Sequence, residues 1–113
     1  MEITVMLFNY LAHNLAALSN EVEEAYLNSL TKKYYLKVKT KKLKILQVNN
    51  IPELMSVNID HIYNIPKYLQ RLEAYKDGYI NPKSIWGFVK IKGKLLPLIR
   101  LEFLASEVNC EAN

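Results

Sequence analysis

Between Glu24 and Glu53 the chain carries seven lysines, Lys32, Lys33, Lys37, Lys39, Lys41, Lys42 and Lys44, and no acidic residue. Ammonium groups concentrated this way attract polyanions and release the counterions condensed on them. The concentration is local. Residues 1–30 hold four glutamates and no base, residues 31–52 sum to +7, and the remainder to +1, so the overall +4 conceals a strong charge asymmetry. Forty residues beyond the run, Trp86 and Phe88 stand two apart with Lys90 beside them. At strand periodicity that spacing puts both rings on one face, where aromatics stack on unpaired bases. Each feature also has a plainer explanation. Lysines alternating with apolar neighbours are the solvated side of a hairpin and a guard against edge pairing, and paired aromatics commonly fill a sheet core.

Residues suited to catalysis are sparse. His13 and His61 fall on different predicted helices, with no partner at metal-ligand spacing. Asp60 and His61 are neighbours, which on a helix point about 100° apart. Cys110 has no nearby base to activate it. With no glycine-rich phosphate loop, paired carboxylates or nucleophile elbow, the sequence points to a non-enzymatic protein needing neither metal nor cofactor.

A length of 113 residues, with 50% hydrophobic and 11% aromatic side chains, suits one domain with a true core. The expected division is a single domain over 1–105 and a short tail over 106–113. One cysteine precludes an internal disulfide. No apolar run has the length of a membrane span, and Glu2 stands where a signal peptide would carry a base. The expectation is a soluble intracellular protein of cytoplasm or nucleus, not secreted and with no membrane partner.

Leu7, Leu11, Leu15, Leu18, Val22 and Ala25/Tyr26 recur at three- and four-residue steps, which predicts a helix over residues 6–30. Asn20 and Glu23, at capping-box spacing, suggest a restart inside it. Glu2 to Val5 is compatible with either a strand or a first helical turn. From Tyr34 the period becomes two, predicting a strand over Tyr34 to Lys39, a turn at Thr40-Lys41-Lys42 and a second strand over Leu43 to Val48. Asn49-Asn50-Ile51-Pro52 closes that strand. Ile59, Ile62, Tyr63, Tyr68, Leu69 and Leu72 predict a second helical region, interrupted at Pro66. Asp77-Gly78 and Asn81-Pro82 mark its exit loop. Strands over Ser84 to Ile91 and Leu95 to Leu104 follow, joined at Lys92-Gly93-Lys94, with Pro97 placing the last at an edge or bulge. Helix, strand, strand, helix, strand, strand predicts an α+β two-layer sandwich, a four-stranded antiparallel sheet with helices on one face.

Leu46-Gln47-Val48-Asn49-Asn50-Ile51-Pro52 resembles the first-strand signature of RNA recognition motifs, with Gln47 in place of its aromatic. Trp86-Gly87-Phe88-Val89-Lys90-Ile91 resembles the second signature, though Ser84-Ile85 replaces its basic-Gly pair. The resemblance covers residues 42–104. It implies a ferredoxin-like RNA recognition fold with Gln47, Trp86 and Phe88 on the open face of two neighbouring strands. No helix and strand follow to complete the motif, so the family's last helix and strand would be supplied from Glu21 to Lys39 by circular permutation. Alternatively, Leu98 to Phe103 is the counterpart of the second signature. Ser84 to Phe103 is also similar to the degenerate motif of gag-like proteins from non-LTR retrotransposons.

Two readings follow. In the first, a nucleic-acid-binding domain holds single-stranded RNA, or DNA, with Lys37, Lys39, Lys41, Lys42, Lys44 and Lys90 on phosphates and Gln47, Trp86 and Phe88 at the bases. In the second, a small interaction or inhibitor domain of viral or mobile-element origin meets an acidic protein surface, with its eight tyrosines supplying contact area. A homodimer through the edge of the last strand is compatible with both.

Overall fold

The computed structural model describes residues 1–64 and 84–104. These residues form nine strands and three short 3-10 turns, and none of them is in an α-helix. The strands are β1 (Glu2–Tyr10), β2 (His13–Leu18), β3 (Val22–Asn28), β4 (Lys33–Val38), β5 (Ile45–Val48), β6 (Glu53–Asn58), β7 (Ile62–Tyr63), β8 (Ile85–Ile91) and β9 (Lys94–Ile99). Ser19–Glu21, Ile59–His61 and Leu101–Phe103 are the 3-10 turns.

Six strands form one sheet in the order β6-β1-β2-β9-β8-β7, and three form a second in the order β3-β4-β5. All neighbours are antiparallel except β2 and β9, which are parallel and paired at Ala16↔Leu98 alone. The larger sheet buries both faces. Val5, Ala16, Val57, Val89, Ile91 and Leu98 share one cluster, so this sheet curls over its own side chains. On its other face Met6, Phe8, Tyr10, Leu15 and Ala17 meet Leu36, Val38, Leu46 and Val48 of the smaller sheet, with Ile99, Leu101 and Leu104 completing the layer. A backbone bond joins the layers, the Asn49 N–H donating to Asn9 O at 2.8 Å, and the Lys39 N–H, donating to Glu21 O at 2.9 Å, extends the β3–β4 ladder by one residue.

The expected α+β sandwich, with helices on a four-stranded antiparallel sheet, is therefore overturned, and the ferredoxin-like arrangement with it. Residues 6–30 are three strands and a 3-10 turn. Their apolar recurrence has a different cause. β1 and β2 are buried on both faces, so apolar residues occupy odd and even positions alike and the two-residue alternation disappears. Leu7 and Leu11 then match a helical template by accident. The hairpin between β1 and β2 also lacks its usual signature, because Leu11 (φ 50°) and Ala12 (φ 68°) occupy the left-handed region that Asn-Gly normally fills. The region around Ile59 is likewise β6, a 3-10 turn and β7. Asn58 holds the turn by accepting the Asp60 N–H at 2.8 Å through its side chain. His13 thus opens β2 and His61 ends a 3-10 turn, rather than lying on helices.

Other expectations agree with the structure. β4 and β5 form the expected lysine-bearing hairpin, and Lys92-Gly93 turns β8 into β9 with φ values of 52° and 79°; Glu2 to Val5, compatible in sequence with strand or helix, is strand. The last strand, however, ends at Ile99 and gives way to a 3-10 turn. It also lies inside the sheet, between β2 and β8, so it offers no edge for sheet extension to a second copy. Pro97 pairs in register with Phe88 of β8, one pair past the register shift between Ile85 and Gly87, and the β2 side of β9 is tied by a single pair, where a missing donor costs little. The expected features at Pro66, Tyr68, Leu69, Leu72, Asp77-Gly78, Asn81-Pro82 and the tail 106–113 lie outside the described residues. No helix of the described residues is long and apolar enough to cross a membrane.

Candidate nucleic-acid interface

β4 and β5 are joined by a lysine-rich connection, residues 39–44, whose base is closed by the Val38 N–H donating to Lys44 O at 3.0 Å. Within it the Thr40 hydroxyl donates to Lys42 O, which turns the loop without a glycine. Alternation on β4 and β5 sends Leu36, Val38, Leu46 and Val48 into the core and leaves the lysines to solvent. The loop rises beside the 3-10 turn that follows β9. Lys44 Nζ donates to Glu102 O, and Glu21 Oε1 accepts the Leu101 N–H at 2.9 Å, so the loop and two 3-10 turns form one junction.

At this junction lies a groove of about 1280 Å³ lined by Lys39, Thr40, Lys41, Lys42, Leu43 and Lys44 of the loop together with Trp86, Arg100 and Glu102, and by Glu21 and Glu23. Trp86 is 41% exposed. Its ring carries the Arg100 guanidinium at 5.5 Å from Cζ to the ring centre, a cation–π geometry. The backbone of Arg100 is anchored by its main-chain N–H, which donates to Ser84 O at 2.7 Å. Burial raises the Glu21 carboxyl above its ordinary value; the Leu101 hydrogen bond lowers it, the Glu102 charge raises it further and Arg100 lowers it. Burial likewise pushes the Lys44 ammonium below the usual lysine range, against the pull of Glu102. Lys39, Lys41, Lys42 and Arg100 are exposed cations of the groove, open to an incoming anion.

The expected site residues are divided. Lys39, Lys41, Lys42, Lys44 and Trp86 come together in the groove. Lys37 and Gln47 lie on the outward face of the smaller sheet, where Lys37 Nζ pairs with Glu23 Oε2 at 3.2 Å and Gln47 stands opposite Tyr35. Lys90 is exposed on β8, outside the groove lining. Phe88 is 3% exposed, so it packs inside and offers no stacking face. The strands carrying Gln47 and Trp86 also belong to different sheets, which removes the shared face that the signatures implied. The β-bulge between Ile85 and Gly87 accounts for the divergence of Trp86 from its neighbour, since it locally interrupts the alternation of β8.

Arg100, Glu21 and Glu102 escaped the sequence reading. Glu21 and Leu101 are 80 positions apart, and nothing local in either stretch signals the bond. Arg100 follows a strand like any polar terminator, and only the fold brings it to Trp86. The chain matches no model of a known protein family and no curated protein.

Proposed function

We propose that this domain binds single-stranded nucleic acid, RNA in preference to DNA, in the groove between the lysine loop and Trp86, acting by binding and not by catalysis. The observation that carries the reading is the exposed Trp86 ring sharing one groove with the exposed Lys39, Lys41 and Lys42. Stacking a base on an aromatic while ammonium groups hold its phosphates is the usual division of labour in single-strand recognition. A duplex has its bases already stacked, so the ring has more to gain from an unpaired base. The Arg100 guanidinium both covers part of the ring and supplies a charge that a flanking phosphate can take. Such a domain would act in cytoplasm or nucleus.

A second reading keeps the groove and changes the partner to an acidic protein surface. Leu43, 61% exposed among the lysines, supports it, because an apolar side chain at that position adds contact area that a phosphate backbone does not use. Anisotropy of labelled single-stranded RNA and DNA at two salt concentrations, with Trp86 emission followed in parallel, separates the two. Binding that quenches Trp86 and weakens steeply with salt supports the first reading. Absence of binding at low salt overturns it and leaves the acidic protein as the partner.

A further inference from the structure

The outward face of the smaller sheet carries a row that the groove does not use. Along β4, side chains alternate between the core, where Leu36 and Val38 sit, and the opposite face, which receives Lys33, Tyr35 and Lys37. Tyr35 is paired across β3 with Tyr26, and their rings stack with centroids 5.7 Å apart and planes inclined by 26°. Both tyrosines are half-buried, so the pair is held in place while keeping surface open to solvent. Just past the end of β4 the same row reaches Lys39, which lines the groove. Lys37 is joined to the groove as well, through its ion pair with Glu23.

We infer that the Tyr26–Tyr35 pair is a second base-stacking platform, and that one nucleic-acid strand runs from the Trp86 groove along β4 to reach it. This rests on the proposed function. Outward side chains on one strand recur about every 7 Å, which places a lysine, a tyrosine and a lysine at a pitch that an extended single strand can follow phosphate by phosphate. From Lys33 to Lys39 the row spans roughly 20 Å, enough to lengthen the contact well beyond one nucleotide. The acidic residues set its course. Glu23 and Glu24 are exposed on β3, so the phosphates keep to the β5 side of the row, where Gln47 and Ile45 carry no charge. Lys37 exchanges Glu23 for phosphate on binding; their contact is at the surface, with side chains 37% and 53% exposed, and such a pair is cheaply broken.

The test compares oligouridylates of about 4 and about 10 nucleotides, lengths taken from the lower range of site sizes for small β-domains. Trp86 is the only tryptophan, so its quenching reports the groove alone. The long oligomer is expected to bind roughly tenfold more tightly than the short one, and Tyr35→Ala is expected to abolish that gain while leaving Trp86 quenching by the short one unchanged. Ultraviolet crosslinking of the long oligomer to the unaltered protein is expected to label Tyr35 or Tyr26, which makes the test independent of how the variant folds. Equal affinity for the two lengths, with Trp86 still quenched and no tyrosine labelled, overturns the platform and leaves the groove standing. No quenching by either length removes both.

Discussion

Glu21 and Leu101, 80 positions apart, are joined by a hydrogen bond in which Glu21 Oε1 accepts the Leu101 N–H at 2.9 Å. The contact fastens the 3-10 turn after β2 to the one after β9. It is made by a half-buried carboxyl whose ionisation is opposed by burial. Because the folded protein raises this carboxyl above its ordinary value of 4.5, folding favours the protonated form. That contribution is fully present below the unfolded value and is lost as pH rises through the raised native value. Glu21→Gln keeps an acceptor for Leu101 and does not ionise. Urea midpoints measured across this range are expected to show the variant gaining on the unaltered protein as pH rises, and a gap independent of pH would refute the assignment.

The hairpin between β1 and β2 holds two non-glycine residues in the left-handed region, where side chains clash with their own backbone. Leu11→Asn with Ala12→Gly supplies the residues this turn prefers and is expected to stabilise the fold by about 1 kcal/mol, read as a higher urea midpoint with unchanged slope. Leu11 is 40% exposed and absent from both core clusters, so the exchange leaves the core packing in place.

Gly87 lies where β7 crosses close to β8. A Cβ there would come within 3.0 Å of Ile62 Cγ2 and 3.3 Å of Tyr63 O. The methyl group of Ile62 can shift by rotation, but the carbonyl belongs to a paired strand. Gly87→Ala is therefore expected to destabilise the protein by roughly 1–3 kcal/mol in chemical denaturation. Gly93, at φ 79° with open space around it, would suffer from substitution through backbone strain and not through contact.

For the groove, the expected signature of lysine loss is ionic. Lys41→Gln with Lys42→Gln should weaken single-stranded RNA at low salt and reduce the steepness of log affinity against log salt by about 0.7 for each lysine removed. Trp86→Ala should instead weaken binding at every salt concentration by a similar factor, since stacking releases no counterions. Titrations at several salt concentrations distinguish the two behaviours.

The legible parts of the chain were those whose physics is local. The hairpin of β4 and β5 announced itself because its outer face is solvated, so Leu36, Val38, Leu46 and Val48 alternate with polar neighbours. Lys92-Gly93 was equally plain, glycine being at ease at φ 79°. β1 and β2 mimic a helical period because Ala16 faces one cluster while Phe8 and Leu15 face the other, and strands buried twice lose their alternation. Half of the candidate site could be found in the same way. The lysines and Trp86 are conspicuous by composition, whereas Arg100 and Glu21 acquire their roles only through pairings across the fold. Phe88 shows the limit of spacing arguments: it matches Trp86 in type and period, yet a bulge of one residue sends it into the interior.

The layer between the two sheets combines residues from both ends of the described chain. Met6, Phe8, Leu15 and Ala17 find their partners in Leu36 and Leu46, but also in Ile99, Leu101 and Leu104. A ribosome extruding this chain would therefore display the greasy side of the first hairpin long before its final partners emerge. Contacts that close the first strands onto the last ones are the non-local kind that slows folding toward milliseconds to seconds, so the chain is expected to hold that apolar face open for longer than a protein of local contacts would.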